Sequence, residues 1–196
     1  MVISGCIGPR SDGYTVGGKM TTEEAERYHR EQIARLSRTP ADLASAFTIN
    51  YVEEAIGITK AAQSVGLPVV IGFTVETDGC LPAGQPLGEA ISAVDQATDS
   101  GPAYYMVNCA HPDHFAHTLA TDAPWKQRIR AVRANASTKS HAELDEAEEL
   151  DAGNPGDLAQ RLAQLQTLLP QLNILGGCCG TDHRHVAAIC RSATLH

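Results

Sequence analysis

The chain has 196 residues and a mass of 20.8 kDa, with 43% hydrophobic and 19% charged residues. That balance suits one globular domain and excludes disorder as the main state. Its net charge is -8 and its 15 Lys and Arg are scattered along the chain, which sets nucleic-acid binding aside. No apolar run reaches bilayer length, and Met1 is not followed by a charged-then-apolar segment. A cytoplasmic protein without a membrane partner is therefore expected, and in a reducing compartment six cysteines point to metal or thiol chemistry before disulfides.

Short apolar runs alternate with longer amphipathic ones. Val2-Ile3 opens the first run, which ends in the loop Gly5-Cys6-Ile7-Gly8-Pro9. Thr21, with Glu24 three residues on, reads as the capping box of a helix to about Leu36. Ala41 to Phe47 reads as a strand and Tyr51 to Ser64 as a helix stopped by Gly66 and Pro68. Val69 to Val75 suits a strand buried on both faces. A loop from Leu81 to Pro86 precedes a helix from Leu87 to about Ala97, and Tyr104 to Val107 is the next strand, ending at Asn108-Cys109. A short helix around Asp113 to Leu119, a strand from Ile129 to Ala134 and the acidic stretch Asn135 to Gly156 follow. Within that stretch, Glu143 to Asp151 carries six acidic residues and reads as a solvated helix face or loop. Leu158 to Leu169 is helical, Leu172 to Leu175 is a strand, and His183 to Ser192 closes the chain as a helix.

Strand then helix, six times over, predicts a parallel sheet built from βαβ units within a single domain, 1–196. Two architectures fit: an open doubly wound sheet, or part of a (β/α)8 barrel. Both place function at the C-terminal ends of the strands. Cys178 and Cys179 lie directly after the last strand, in Gly176-Gly177-Cys178-Cys179-Gly180-Thr181, and Cys109 lies directly after another. All three therefore emerge on one rim. Zinc takes thiolates at about 2.3 Å, and a catalytic site keeps one position open beside three protein ligands. Adjacent residues on a regular strand point to opposite faces, so one ion can hold both sulfurs only where the backbone bends. Gly176, Gly177 and Gly180 offer that freedom. The vicinal pair also suits small buried hydrophobes at a crowded strand end, and its spacing alone leaves both readings open.

Gly-Gly-Cys-Cys-Gly-Thr after the last strand, with Asn108-Cys109 upstream, resembles the homocysteine S-methyltransferase family. Ser4-Gly5-Cys6-Ile7-Gly8-Pro9 and Val52-Glu53-Glu54-Ala55 also look like segments of that family, so the resemblance covers nearly the whole chain. It implies a (β/α)8 TIM-barrel type of fold, here incomplete with about six parallel strands. It also implies Zn2+ held by Cys109, Cys178 and Cys179, with homocysteine sulfur in the fourth position. The implied reaction moves a methyl group from a sulfonium or ammonium donor to homocysteine, giving methionine. Asn108, Gly176 and Gly177 would shape the pocket.

The sequence departs from the family in two places. Val2-Ile3 aligns with the third family strand, so the first two strand–helix units and their Asp-Gly-rich segment have no counterpart here. Self-association, or dependence on an upstream barrel segment, is expected from the uncovered sheet edges. Where members of the family carry a Glu that contacts the substrate amino group, this chain has Phe47, and Glu76 or Asp78 would have to supply the carboxylate. Both also suit solvated loop acids. His111, His114 and His117 follow Cys109 closely but read as helix-surface residues, and His183 and His185 as capping and surface residues. Cys6, Cys80 and Cys190 read as loop and helix thiols, and Trp125 as packing. Two rivals to the enzyme remain from the same residues: a zinc- or thiol-binding redox protein without methyl transfer, and an inactive fragment of a split barrel.

Overall fold

The computed structural model describes residues 1–193. Its strands are β1 (Ser4–Ile7), β2 (Leu43–Ile49), β3 (Val69–Phe73), β4 (Tyr104–Asn108), β5 (Ile129–Ala134) and β6 (Ile174–Gly177). Between and after them lie α1 (Thr22–Leu36), α2 (Val52–Gln63), α3 (Leu87–Thr98), α4 (Pro112–Phe115), α5 (His141–Asp145), α6 (Pro155–Leu168) and α7 (His183–Ser192). Strand order follows chain order from β1 to β6, and the β1–β2, β2–β3 and β5–β6 pairings are parallel. A doubly wound sheet reverses its order at a switch point. This succession does not, which leaves the α/β fold of partial TIM-barrel type and removes the open-sheet alternative.

The chain divides into two compact units, the first formed by Met1–Thr74 and Leu81–Tyr105. Here β1 registers Ser4 on Leu43, and β2 registers Ala44 on Val69 before a shift brings Ile49 opposite Phe73. Thr48, with φ 59°, lies inside that shift. All five residues of β3 are buried, as a strand covered on both faces requires. Thr21 caps α1 through the expected box, its hydroxyl accepting the Glu24 N–H while the Glu24 carboxylate accepts the Thr21 N–H. Helices α1 and α2 pack together, and Gly57 permits the approach: a Cβ there would lie 2.5 Å from Ala25 Cβ. Buried between them, one Glu54 oxygen accepts from His29 Nε2 at 2.9 Å and from the Arg10 N–H at 2.8 Å.

The second unit is formed by Val75–Cys80 and the chain from Met106 onward. Strand β5 registers Ala131 on Ile174 and Ala134 on Gly177. Helix α6 buries Leu158, Ala159, Leu162 and Leu165, and α7 buries His185, Ala188 and Ile189. The acidic stretch is not all loop: Ser140 and Glu143 form a capping box that starts α5.

Several boundaries differ from the sequence reading. Strand β1 begins at Ser4, because Val2 and Ile3 are exposed and the Ile3 N–H is donated to the Asp42 carboxylate. Strand β6 begins two residues later than expected, since the Leu172 N–H closes a turn on the Leu169 carbonyl. The expected helix at Asp113–Leu119 splits into α4 and a 3-10 turn, Ala116–Ala120. Trp125 lies in a second 3-10 turn, Pro124–Arg128, begun by proline at its first position.

Candidate metal centre

Three strand ends of the second unit build the site. Strand β4 ends at Asn108, which is buried, and Cys109 follows with φ 54°. A non-glycine residue in the left-handed region costs about 1–3 kcal/mol and persists where its surroundings over-determine it. Those surroundings are backbone hydrogen bonds on both sides: the Cys109 N–H is donated to the Arg133 carbonyl at 3.1 Å, and the Asn135 N–H to the Ala110 carbonyl at 3.1 Å. Strand β6 delivers the other two cysteines. The Cys178 N–H is donated to the Ala134 carbonyl at 2.7 Å and the Ala136 N–H to the Cys179 carbonyl at 2.9 Å. Asn135 completes the joint, its Oδ1 accepting the Cys179 N–H at 3.1 Å.

The glycines around the pair do different work. Gly180 has φ 76°, and a Cβ there would lie 2.5 Å from the Asp151 carbonyl oxygen. A Cβ on Gly177 would overlap the Thr181 hydroxyl, which is donated to the Cys178 carbonyl and holds the turn. Gly176 is an ordinary strand residue with room for a side chain, so the expected freedom for the bend comes from its two neighbours in the motif and not from Gly176 itself.

The turn brings the sulfurs of Cys109, Cys178 and Cys179 to within 4.8 Å of one another, with Cys109 and Cys179 at 4.0 Å. Tetrahedral zinc at about 2.3 Å from each sulfur separates its ligands by about 3.8 Å, so the donor set fits a zinc ion. Burial grades from Cys109 (6% exposed) through Cys178 to the exposed Cys179. The Cys178 thiol is pushed far above the ordinary range by its hydrogen bonds to Cys109 and Cys179 and, next, by burial. A cation at this point would reverse that preference by stabilising the thiolates.

Glu76 opens a tight turn, its N–H donated to the Cys80 carbonyl and its own carbonyl accepting the Gly79 N–H. Its half-exposed carboxylate meets His141 Nδ1 at 3.0 Å, and His141 Nε2 lies 2.7 Å from the Cys109 carbonyl oxygen. A carbonyl can only accept, so Nε2 carries the hydrogen there. The Asp78 carboxylate instead accepts the Cys80 N–H within its own turn. Sequence reasoning missed His141 and gave Asn135, at a strand end, no role of its own. The Ser140-x-x-Glu143 signature was the available signal for the first, since it sets His141 at the first position of a helix.

His111, His114 and His185 are buried and hydrogen-bonded within the fold. His111 is buried, caps α4 by accepting the Asp113 N–H, and is held below its ordinary pKa by burial. His114 is also buried, with Nε2 against the Thr138 carbonyl, so neither is the surface residue expected. His185 is fully buried, closing a capping box on Asp182 and reaching the Ala152 carbonyl with Nε2. His117 and His183 match the expected exposed positions, His117 with its Nε2 at 3.2 Å from the Asp78 carbonyl oxygen.

Among solved structures, the chain is similar to the homocysteine methyltransferase MmuM from Escherichia coli in its apo form, with 19% identity and a TM-score of 0.72. That match covers 98% of this chain and 64% of the other. The metallated form gives 19% identity and a TM-score of 0.71 over 97% of this chain and 61% of that one. The chain thus spans under two thirds of the length of these structures, and at this identity they speak to the fold. Comparison with curated proteins gives no match. The model of the homocysteine S-methyltransferase family matches residues 1–193. With that match over nearly its full length, the chain belongs to the homocysteine S-methyltransferase family.

Proposed function

We propose that the chain is a zinc-dependent methyltransferase that passes a methyl group from a sulfonium or ammonium donor to the thiol of homocysteine, giving methionine. The observation that carries this reading is the convergence of three cysteine sulfurs, from the ends of two strands, within 4.8 Å. Cys109, Cys178 and Cys179 would hold the ion. Zinc held by them supplies the Lewis acidity that lets a substrate thiol react as thiolate at neutral pH. The thiol proton leaves to solvent, sulfur gains the methyl group, and the donor departs as a neutral sulfide or amine.

The chain's own residues do the rest. The pinned peptides of Cys109 and Cys179 fix two sulfurs before substrate arrives, so that no ordering is needed at the moment of reaction. Asn108 is buried at the strand end beside Cys109, and Gly176 and Gly177 run into Cys178; we assign them to the pocket wall. One oxygen of Glu76 is engaged by His141, and the other carries no protein hydrogen bond among the described residues. It suits a substrate ammonium group, the task we assign to it in place of the residue at Phe47. Three thiols that must stay reduced to bind metal also suit the cytoplasm. No helix among the described residues is long and apolar enough to cross a membrane.

The 4.0 Å approach of Cys109 and Cys179 favours one other reading, a zinc- or thiol-binding protein without methyl transfer. One experiment separates them. The zinc-loaded chain is incubated with homocysteine and, in turn, S-methylmethionine or betaine, and methionine is measured by mass spectrometry. Zinc-dependent methionine, lost in Cys178→Ser/Cys179→Ser, supports the enzyme; stoichiometric zinc without methionine supports the binding protein.

A further inference from the structure

Cys109 holds its sulfur on a peptide in the left-handed region, and its backbone is gripped at both polar atoms. The N–H is tied to Arg133 of β5, and the carbonyl oxygen receives His141 Nε2 at 2.7 Å, the shorter of the two contacts. His141 is itself buried, 6% exposed, at the first position of α5, where the Ser140–Glu143 capping box fixes its backbone. Its other ring nitrogen meets Glu76 at 3.0 Å, so the ring is held at both edges and cannot turn without losing both contacts. A side chain reaching from the segment after β5 therefore joins the turn at Glu76 to the carbonyl of a sulfur donor.

Resting on the reading that Cys109 is a metal ligand, we propose that His141 is a positioning residue of the metal centre: its Nε2–H fixes the Cys109 peptide, and Glu76 braces the ring. A metal ligand on an over-determined peptide loses little freedom on binding. Releasing the carbonyl lets Cys109 relax toward ordinary backbone angles and carries its sulfur away from Cys178 and Cys179. His141 touches neither substrate nor metal in this role. Its effect is felt through the position of one sulfur.

The test is zinc affinity, measured on the whole chain by competition with a chromophoric chelator, for the wild type, His141→Leu, His141→Gln and Glu76→Ala. Outer-shell partners of metal ligands are worth about 10–100-fold in affinity. His141→Leu is expected to weaken zinc binding by that factor, His141→Gln to recover most of the loss by returning an N–H donor, and Glu76→Ala to cost a few-fold. A purely structural role would lower the melting temperature of both His141 variants without recovery of affinity by Gln. Wild-type affinity in His141→Leu, or equal losses in Leu and Gln, overturns the proposal while leaving the zinc site standing. Absence of zinc binding by the wild type overturns both. Where His141→Leu does not fold, Glu76→Ala, altered at a half-exposed position, decides: unchanged affinity there overturns the brace and the proposal with it.

Discussion

Asn135 Oδ1 accepts the backbone N–H of Cys179 at 3.1 Å, and both groups sit at strand ends on the rim that gathers the three cysteines. Asn135 is buried, and removing its amide takes away that part-buried hydrogen bond, worth about 0.5–1.5 kcal/mol. Asn135→Ala is expected to lower the denaturation midpoint accordingly and to weaken zinc binding, because the Cys179 peptide loses its anchor. Denaturant melts of the zinc-free chain and a zinc competition titration check the two effects. A destabilised variant with wild-type zinc affinity would show that Asn135 serves the fold alone.

Stability and zinc binding should respond to alkali in opposite senses. The Cys178 thiol is raised in the zinc-free fold above its value in the unfolded chain, about 8.5. It therefore contributes stability that is fully present below that pH and lost as pH rises beyond it. Zinc binding displaces thiol protons, so its affinity climbs with pH. The zinc-free melting temperature is expected to fall between pH 8 and 10 while the increment gained from zinc grows over the same range. A zinc-free melting temperature that holds constant there, and that Cys178→Ser leaves unchanged, would contradict the coupling.

Gly180→Ala should damage the turn after the cysteine pair. The new Cβ meets a positive φ and the Asp151 carbonyl at 2.5 Å, and the penalty for Ala at such a site exceeds about 1 kcal/mol. Gly176→Ala meets nothing closer than Arg133 Cγ at 3.6 Å and should be tolerated. Parallel thermal melts and zinc stoichiometry of the two variants test the contrast. Equal effects would mean that the motif's glycines are needed for something other than backbone shape.

The first unit offers a control for these measurements. Glu54 is fully buried, and one of its oxygens accepts from both His29 and Arg10. Glu54→Ala strands the buried His29 nitrogen and releases the part-buried Arg10 N–H, and is expected to cost about 1–3 kcal/mol. Calorimetry should show the loss. Zinc stoichiometry of the folded fraction should stay at the wild-type value.

The helix starts and buried strands were legible because they rest on local chemistry. Thr21 and Glu24 form the capping box their spacing predicts, and Val69 to Phe73 is buried throughout. The three cysteines were legible as a rim cluster because strand ends in a parallel sheet share a side. The bonds that hold the rim were not. Asn135 acts on Cys179 across 44 positions and His141 on Cys109 across 32, and no periodicity announces a side chain that serves another strand's backbone. The acidic run left helix and loop both open, and the Ser140–Glu143 signature settles the first alternative for His141–Asp145. Gly176 shows the converse: a motif glycine read as offering freedom for a bend occupies ordinary strand geometry.

Zinc K-edge X-ray absorption of the metal-loaded chain, with and without homocysteine, tests the central claim most directly. The account predicts about one zinc per chain, three sulfur neighbours at about 2.3 Å contributed by Cys109, Cys178 and Cys179, and a fourth sulfur on adding homocysteine. No bound zinc, a first shell dominated by nitrogen, or a sulfur count that homocysteine leaves unchanged would contradict it.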